Sequence, residues 1–338
     1  MPLIDFPVSD DAYGSDGPTG ADVDIIVTHL NNDGSDIIGS TYIGGANIDG
    51  RNPLTGHYGD DYRGEIIIDD RGNCYVTSCS NSADFPVTGG AYQSTFGGSV
   101  DAVVFSLNPD LSDLLWSTYL GGTMQDVGLG LRLDNDGDVY VSGGTQNEFI
   151  AATGYQSTYQ GGGSDAFVLK LIADGTAVEY SSYWGTDNID FAYFVDIDVN
   201  GSIYIYGLSK GGTSPVTDGV YSNDDSHQFI ARLDPTLASL ELATVIGAGG
   251  ANFIPIAFMV DDCGYIYFSG HSARGALPLT DDHLYDTGGF YLGVLEPDAT
   301  DLTFSTLYTA DHVDGGTSRF DPSTGIVYQA VCVIGLFT

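Results

Sequence analysis

Eleven residues before a recurring glycine stand Asp61, Asp126, Asp190 and Asp314, with Asn252 one step displaced in a further copy. Carboxylates gathered around one mouth repel one another unless they meet a cation, water or backbone donors. Their hard oxygens suit calcium, the cofactor this pattern suggests, or a hydroxyl-rich ligand held on a common axis. A local reading stands beside it, in which each aspartate caps its own loop by accepting backbone N–H groups.

The first copy breaks the period. Between Leu30 and Gly72 lie 42 positions, where the later copies have 30 or 31. The surplus falls in ANIDGRNPLTGHYGDD, which brings Arg51, His57 and Tyr58 to the side of the chain that carries the aspartates. An aromatic platform beside charged hydrogen-bonding groups is what a sugar site needs. The same insertion could equally serve as a lid that fills the mouth and binds nothing.

Catalytic signatures are absent: the sequence holds no GxSxG, HExxH, CxxC or phosphate-binding loop. A glycosidase would need an acid and a base converging at the mouth. Of the five glutamates, only Glu65 lies near that register, four residues past Asp61. A polysaccharide hydrolase or lyase using these carboxylates is therefore the alternative, and a non-catalytic module the expectation. The run LDNDGDVY places Arg132 where a calcium loop aligned on Gly137 needs its first oxygen ligand, so it reads as a turn.

Five copies of one unit position these residues, with boundaries near 1–79, 80–144, 145–208, 209–271 and 272–338 of a single domain spanning 1–338. A glycine precedes an aromatic-rich strand at Gly72, Gly137, Gly201, Gly264 and Gly325. IIVTHL, VVFSL, FVLKL, FIARL and YLGVL keep the same period, as do STYIGG, STYLGG, SSYWGT, ATVIGA and STLYTA. So does one tyrosine per unit: Tyr13, Tyr92, Tyr155, Tyr221 and Tyr285. Each unit supplies four strands, here called A to D: the apolar strand before the glycine, the glycine strand, the FVLKL strand and the STYLGG strand. Asp69, Asp134, Asp198 and Asp261 stand three residues before their glycine, placed to accept hydrogen bonds inside an A–B turn. Four-strand units in tandem predict an all-β fold, a β-propeller of five four-stranded blades. The chain opens on a C–D pair and ends on an A–B pair, so the terminal pairs are expected to close the ring in one blade. The B-to-C connections, about 20 residues long, are expected to form a collar on one face, with the repeated tyrosines wedging it together.

Forty-six acids against nine bases give a formal charge of −37, and 41 of the acids are aspartate. Such a surface repels nucleic-acid phosphates and anionic lipid, so neither partner is expected. No apolar run approaches the roughly 18 residues of a membrane span, and MPLIDFPVSDD lacks the basic and apolar regions of a signal peptide. Four cysteines form no zinc pattern; Cys79 and Cys332 each lie seven residues after their glycine, as two small buried side chains or as a disulfide.

DAFVLKL, STYLGG, the aspartate–glycine turn with VYVSG, and DFPVTGGAYQSTFGG together resemble the bacterial β-propeller repeat called SBBP. The likeness covers nearly the whole chain and loosens in the last two units, where His227 and Gly289 replace the aspartate seen at Asp24, Asp101 and Asp165. It implies an extracellular or cell-surface bacterial protein, part of a larger multidomain chain, often beside adhesion modules. It brings no catalytic residues. The expectation is a scaffold or interaction module binding carbohydrate or a surface protein, with Arg51, His57, Tyr58 and Asn252 as ligand-binding candidates and Asp61, Asp126, Asp190 and Asp314 as metal candidates.

Overall fold

A computed structural model describes residues 6–15, 23–54, 61–211, 214–224, 226–247, 253–272, 277–308, 318–321 and 326–329. Every regular element among them is a β-strand. Four antiparallel sheets follow one another along the chain. The first holds β3 (Glu65–Ile68), β4 (Cys74–Ser80), β5 (Asp101–Leu107) and β6 (Leu114–Leu120). The second holds β7 (Asp126–Leu133), β8 (Val139–Thr145), β9 (Asp165–Leu171) and β10 (Val178–Trp184). The third is β11 (Ile189–Ile197), β12 (Ile203–Lys210), β13 (Gln228–Leu233) and β14 (Leu240–Ile246). The fourth is β15 (Phe253–Val260), β16 (Ile266–Ser272), β17 (Phe290–Leu295) and β18 (Leu302–Tyr308). Within each sheet the strands lie in sequence order, which is the A-B-C-D order expected from the repeat. Half-sheets flank the array: β1 (Ile25–Leu30) with β2 (Ile37–Ile43), and β19 (Ser318–Asp321) with β20 (Ile326–Gln329). Among the described residues these are two separate sheets with no ladder between them. No helix among the described residues is long and apolar enough to cross a membrane.

The repeat glycines work as the sequence predicts. Gly72, Gly137, Gly201 and Gly264 sit at φ 84, 84, 82 and 85°, where a side chain would be strained. Each turn is completed by its aspartate: one oxygen of Asp134 accepts the N–H groups of Asp136 and Asp138 at 3.0 and 2.9 Å. Asp69, Asp198 and Asp261 do the same with the residues two and four positions on.

Sheets stack face to face, and each packs against its neighbours along the chain. Ala102, Val104 and Trp116 of the first sheet pack with Leu131, Val141 and Phe167 of the second. Ala166, Val168 and Trp184 of the second meet Ala192, Ile205 and Phe229 of the third. The A strands contact one another in succession, β3 with β7, β7 with β11, β11 with β15 and β15 with β19. Three of them, β7, β11 and β15, carry a bulge at the same place, at Leu129, Tyr193 or Ile256, each buried. Polar links tie these strands: Arg132 Nε lies 3.0 Å from Asp196 Oδ1, and Asp196 Oδ2 accepts the Val260 N–H at 2.8 Å. Lys170 lies 3.1, 2.9 and 3.1 Å from carboxylates of Asp134, Asp138 and Glu179, a binding site for one cation that the chain supplies itself.

One expectation needs correcting. The long B-to-C connections are not a collar confined to one face. They cross to the outer edge of their own sheet and cover strand D. Thr88 N–H donates to the Ser117 carbonyl, and Tyr119 N–H to that of Gln93, along β6. Gly154 and Gln156 repeat this on β10, Thr217 and Asn223 on β14, and Tyr285 on β18. Ser9 and Gly14 do so on β2. Edge strands whose N–H and C=O groups would otherwise template aggregation are thereby satisfied.

The seam packing gives a direct expectation. Phe229 is fully buried against Trp184, ring centroids 5.2 Å apart, whereas Val199 in a hairpin turn is 66% exposed. Phe229→Ala is expected to cost about 3–5 kcal/mol, and Val199→Ala to stay within about 0.5 kcal/mol, read from denaturant midpoints.

Candidate functional site

The aspartates at the start of strand A are sealed. Asp126 and Asp190 have no exposed surface. Asp126 accepts the Gly122 N–H at 2.8 Å and the Thr145 hydroxyl. Asp190 accepts the N–H and hydroxyl of Thr186 at 2.7 and 2.9 Å. In the first unit this place belongs to Asp49, not to Asp61. Asp49 is 1% exposed, accepts the Gly45 N–H at 2.7 Å, and is gripped by the Ser80 and Ser82 hydroxyls. It bridges Ser80 across the sheet as Asp126 pairs with Thr145 and Asp190 with Ser209. Counting back from Gly72 crosses the insertion and lands on Asp61, which is half-exposed and ion-paired to Arg51 at 3.3 Å. Counting forward from the STYIGG strand finds Asp49, nine residues past Ser40, as Asp126 is past Ser117 and Asp190 past Ser181. Asp314, Asn252, His57 and Tyr58 lie outside the described residues.

A second series faces the first across each seam. Asp101 and Asp165, at the start of strand C, are fully buried. Asp101 accepts from Gly97 N–H at 2.7 Å and Gln93 Nε2 at 2.9 Å, and Asp165 accepts from Gln160 N–H. Between the two series runs the glycine of STYLGG. A Cβ on Gly121 would stand 2.6 Å from the Asp101 carboxyl carbon, one on Gly185 2.2 Å from that of Asp165, and one on Gly44 2.3 Å from Asp24 Oδ1. At each seam one aspartate, Asp126 or Asp190, holds the D-to-A loop, while Asp101 or Asp165 holds the end of the B-to-C connection and lies against the loop's glycine, whose missing Cβ lets it approach. Burial pushes the Asp101 carboxyl up to about 6 and those of Asp126 and Asp165 up to about 7; it also raises Asp49 and Asp190. Among the described residues no group of three or more His, Cys, Asp or Glu side chains is arranged to hold a metal ion. Cys74 and Cys79 are buried free thiols.

The insertion does two things. Leu54 is fully buried in the core with Val127 and Phe191, and the buried Arg63 guanidinium lies 4.5 and 4.7 Å from the ring centroids of Tyr193 and Phe194 on β11. These side chains fill space beside the inner strands. Where the chain leaves and rejoins the sheet, strand A is cut to the four residues of β3, against eight or nine in β7, β11 and β15. A cleft of about 290 Å³ opens between β3 and β1, the latter belonging to a two-stranded half-sheet among the described residues. Asp24, Asp49, Glu65, Tyr62, Thr77 and Ser78 line it, with Ile25 and Ile66 as apolar wall. Tyr62 is 54% exposed, and the Arg51–Asp61 pair flanks the cleft where the chain passes Gly50 and Tyr62. Sequence reasoning missed Asp24, Asp49 and Tyr62 as a group because they come from different segments that meet only where β1 lies beside β3.

Comparison with known proteins places the fold and little more. No family model matches the chain. Hydrazine synthase of Kuenenia stuttgartiensis is structurally similar, with a TM-score of 0.50 at 11% identity over 90% of this chain and 67% of that one. This likeness supports a propeller-like arrangement of the sheets. A europium-containing methanol dehydrogenase aligns over 90% of this chain and 57% of its own at 10% identity, with a TM-score of 0.46. In sequence, the regulatory protein FlaEY of Caulobacter vibrioides is 24% identical over 234 residues. The match takes in 64% of this chain and spans about a quarter (24%) of that relative's length.

The raised carboxyls set a pH dependence with a definite sign. A carboxyl whose folded value exceeds its unfolded value near 3.8 holds its proton more tightly when folded, so its contribution is full below about 3.8 and is lost progressively until pH passes the folded values of about 6 to 7. Thermal midpoints at fixed ionic strength should fall between about pH 4 and pH 7, and Asp126→Asn should flatten that slope. An unchanged slope in the variant would contradict the assignment.

Proposed function

We propose that the chain is a rigid, non-catalytic interaction module, a five-bladed ring in which β19–β20 and β1–β2 complete one blade. It belongs, on the SBBP-like repeats, to a secreted or surface-exposed bacterial protein, and it grips carbohydrate through the cleft at the first seam. The observation that carries this reading is the composition of that cleft. The partly exposed Asp24 carboxylate can meet sugar hydroxyls, while half-exposed Tyr62 offers a face for the C–H side of a pyranose; Asp49, Glu65, Thr77 and Ser78 form the buried floor beneath them. Arg51 and Asp61 extend the polar rim. A calcium ion shared between carboxylates and sugar hydroxyls is the metal-dependent form of the same site.

Two further observations favour binding over chemistry. Asp126 and Asp190, the carboxylates an acid–base mechanism would recruit, are inaccessible and already serve their own loops. The Caulobacter relative is described as a regulatory protein, which agrees with a module that binds rather than converts.

A glycan and polysaccharide array, screened with calcium and again after chelation, tests the proposal. Binding to a defined glycan is expected, weakened at least about tenfold by Tyr62→Ala and by Arg51→Ala while the thermal midpoint holds. Binding by neither condition would remove the carbohydrate reading, and binding insensitive to both variants would remove the cleft.

A further inference from the structure

Four hydrogen bonds of one design join each unit to the next. The backbone N–H of Tyr13, Tyr92, Tyr155 and Tyr221 donates to the carbonyl of Leu111, Gly175, Leu237 and Ala299, at 3.0, 2.9, 2.7 and 2.7 Å. Every acceptor is the left-handed residue of the next sheet's C–D hairpin, at φ 62, 70, 59 and 53°. Each of those hairpins is closed by that residue's own N–H on the carbonyl three positions back. A non-glycine residue held there is uncommon, so three such residues at equivalent places mark a geometry the fold requires.

A fifth acceptor of the same build is present and exposed. In the hairpin between β1 and β2, Gly34 has φ 70°, and its N–H donates to the Asn31 carbonyl at 2.9 Å. A fifth donor is present as well. Along β18, Leu307 N–H donates to the Tyr285 carbonyl and Tyr285 N–H to the Thr306 hydroxyl, as Tyr119 does with Gln93 and Gln93 with Thr118 along β6. Tyr285 therefore holds the glutamine place, and Leu284 stands where the other units have their latch tyrosine; the sequence register was off by one. Leu284 is 64% exposed, and its N–H donates to the Thr306 hydroxyl at 3.1 Å within its own unit. The strand beside the free hairpin is apolar and uncovered: Ile26 and Leu30 of β1 are 40 and 50% exposed. Their counterparts, Val103 and Leu107 in β5 and Phe167 and Leu171 in β9, are fully buried.

We infer that the 31–36 hairpin and this apolar face form the docking surface for the fourth full sheet of the same chain, with the Leu284 N–H latched on the Gly34 carbonyl. The cyclic order of the four observed latches names the occupant, since each donor reaches the unit that follows it and, among the described residues, the fourth sheet's is the one that has not; to latch, the Leu284 N–H exchanges its own unit's Thr306 hydroxyl for the Gly34 carbonyl. This inference rests on the closed-ring reading and adds the contact that locks it.

Cysteines placed at 34 and 284 in a Cys263→Ser background test the latch, with Tyr221→Cys/Ala299→Cys as the control on an observed one. A Cβ at position 34 meets nothing within 4 Å, so the substitution has room. Mild oxidation is expected to give an intramolecular 34–284 disulfide in the monomer, mapped by mass spectrometry, as in the control. A control that forms while 34–284 does not, or a 34–284 bond found only in covalent dimers, overturns the proposal. Hydrogen exchange of the β1 amides that face away from β2 separates the two failures. If they exchange slowly, the ring closes and only the latch is wrong; if they exchange as an open edge, the ring reading falls with it.

Discussion

A four-stranded sheet cannot stand alone in water: it has two faces to bury and an outer edge of unpaired peptide groups to satisfy. Everything distinctive in this chain answers that constraint unit by unit. The faces go to the neighbouring sheets through Trp184, Phe229 and their equivalents. The outer edge goes to the unit's own B-to-C connection, whose tip then reaches across to the next unit's left-handed turn. The inner end of each seam is fixed by two aspartates, one on the D-to-A loop and one on the end of the B-to-C connection. Because each device looks only to a neighbour, the architecture extends by repetition, and a ring is the arrangement that leaves no unit without a successor.

The charge follows the same logic. With 46 acids and nine bases the surface is strongly repulsive, yet the seam aspartates of the repeat are buried and its turn aspartates partly covered. They lie in turns and seams, where N–H donors replace water. The bases are placed where they gain most: Lys170 between three carboxylates, Arg132 against Asp196, Arg232 against Glu241, and Arg63 over two aromatic rings. Symmetric, sealed carboxylates make good clamps. Open polar chemistry is found where the repeat is broken, at the shortened strand A of the first sheet.

The strands, their order within a sheet and the aspartate–glycine turns were legible because they recur with one period and because a left-handed turn position selects glycine. Position within irregular units was harder to read. Asp61 was aligned for Asp49 because an insertion lay between the aspartate and the glycine used as the ruler. Tyr285 was aligned for Leu284 because side-chain identity shifted while the backbone register held. The draped B-to-C connections escaped notice since their bonds to strand D are made largely by backbone groups, which leave weak marks on sequence. The bulges of β7, β11 and β15 are equally silent. The cleft was visible only as an insertion carrying Arg51, His57 and Tyr58; that Tyr62 and Glu65 would share it with Asp24 depended on β1 lying beside β3, a contact between distant segments.

Small-angle X-ray scattering bears most directly on the central claim, that neighbour-to-neighbour contacts close into one compact ring. It should be recorded in enough salt to screen the −37 charge. Closure predicts a radius of gyration of about 20 Å for a chain of this length, with a single-peaked distance distribution. A markedly larger radius with a long-distance tail would show an open arc and contradict the account.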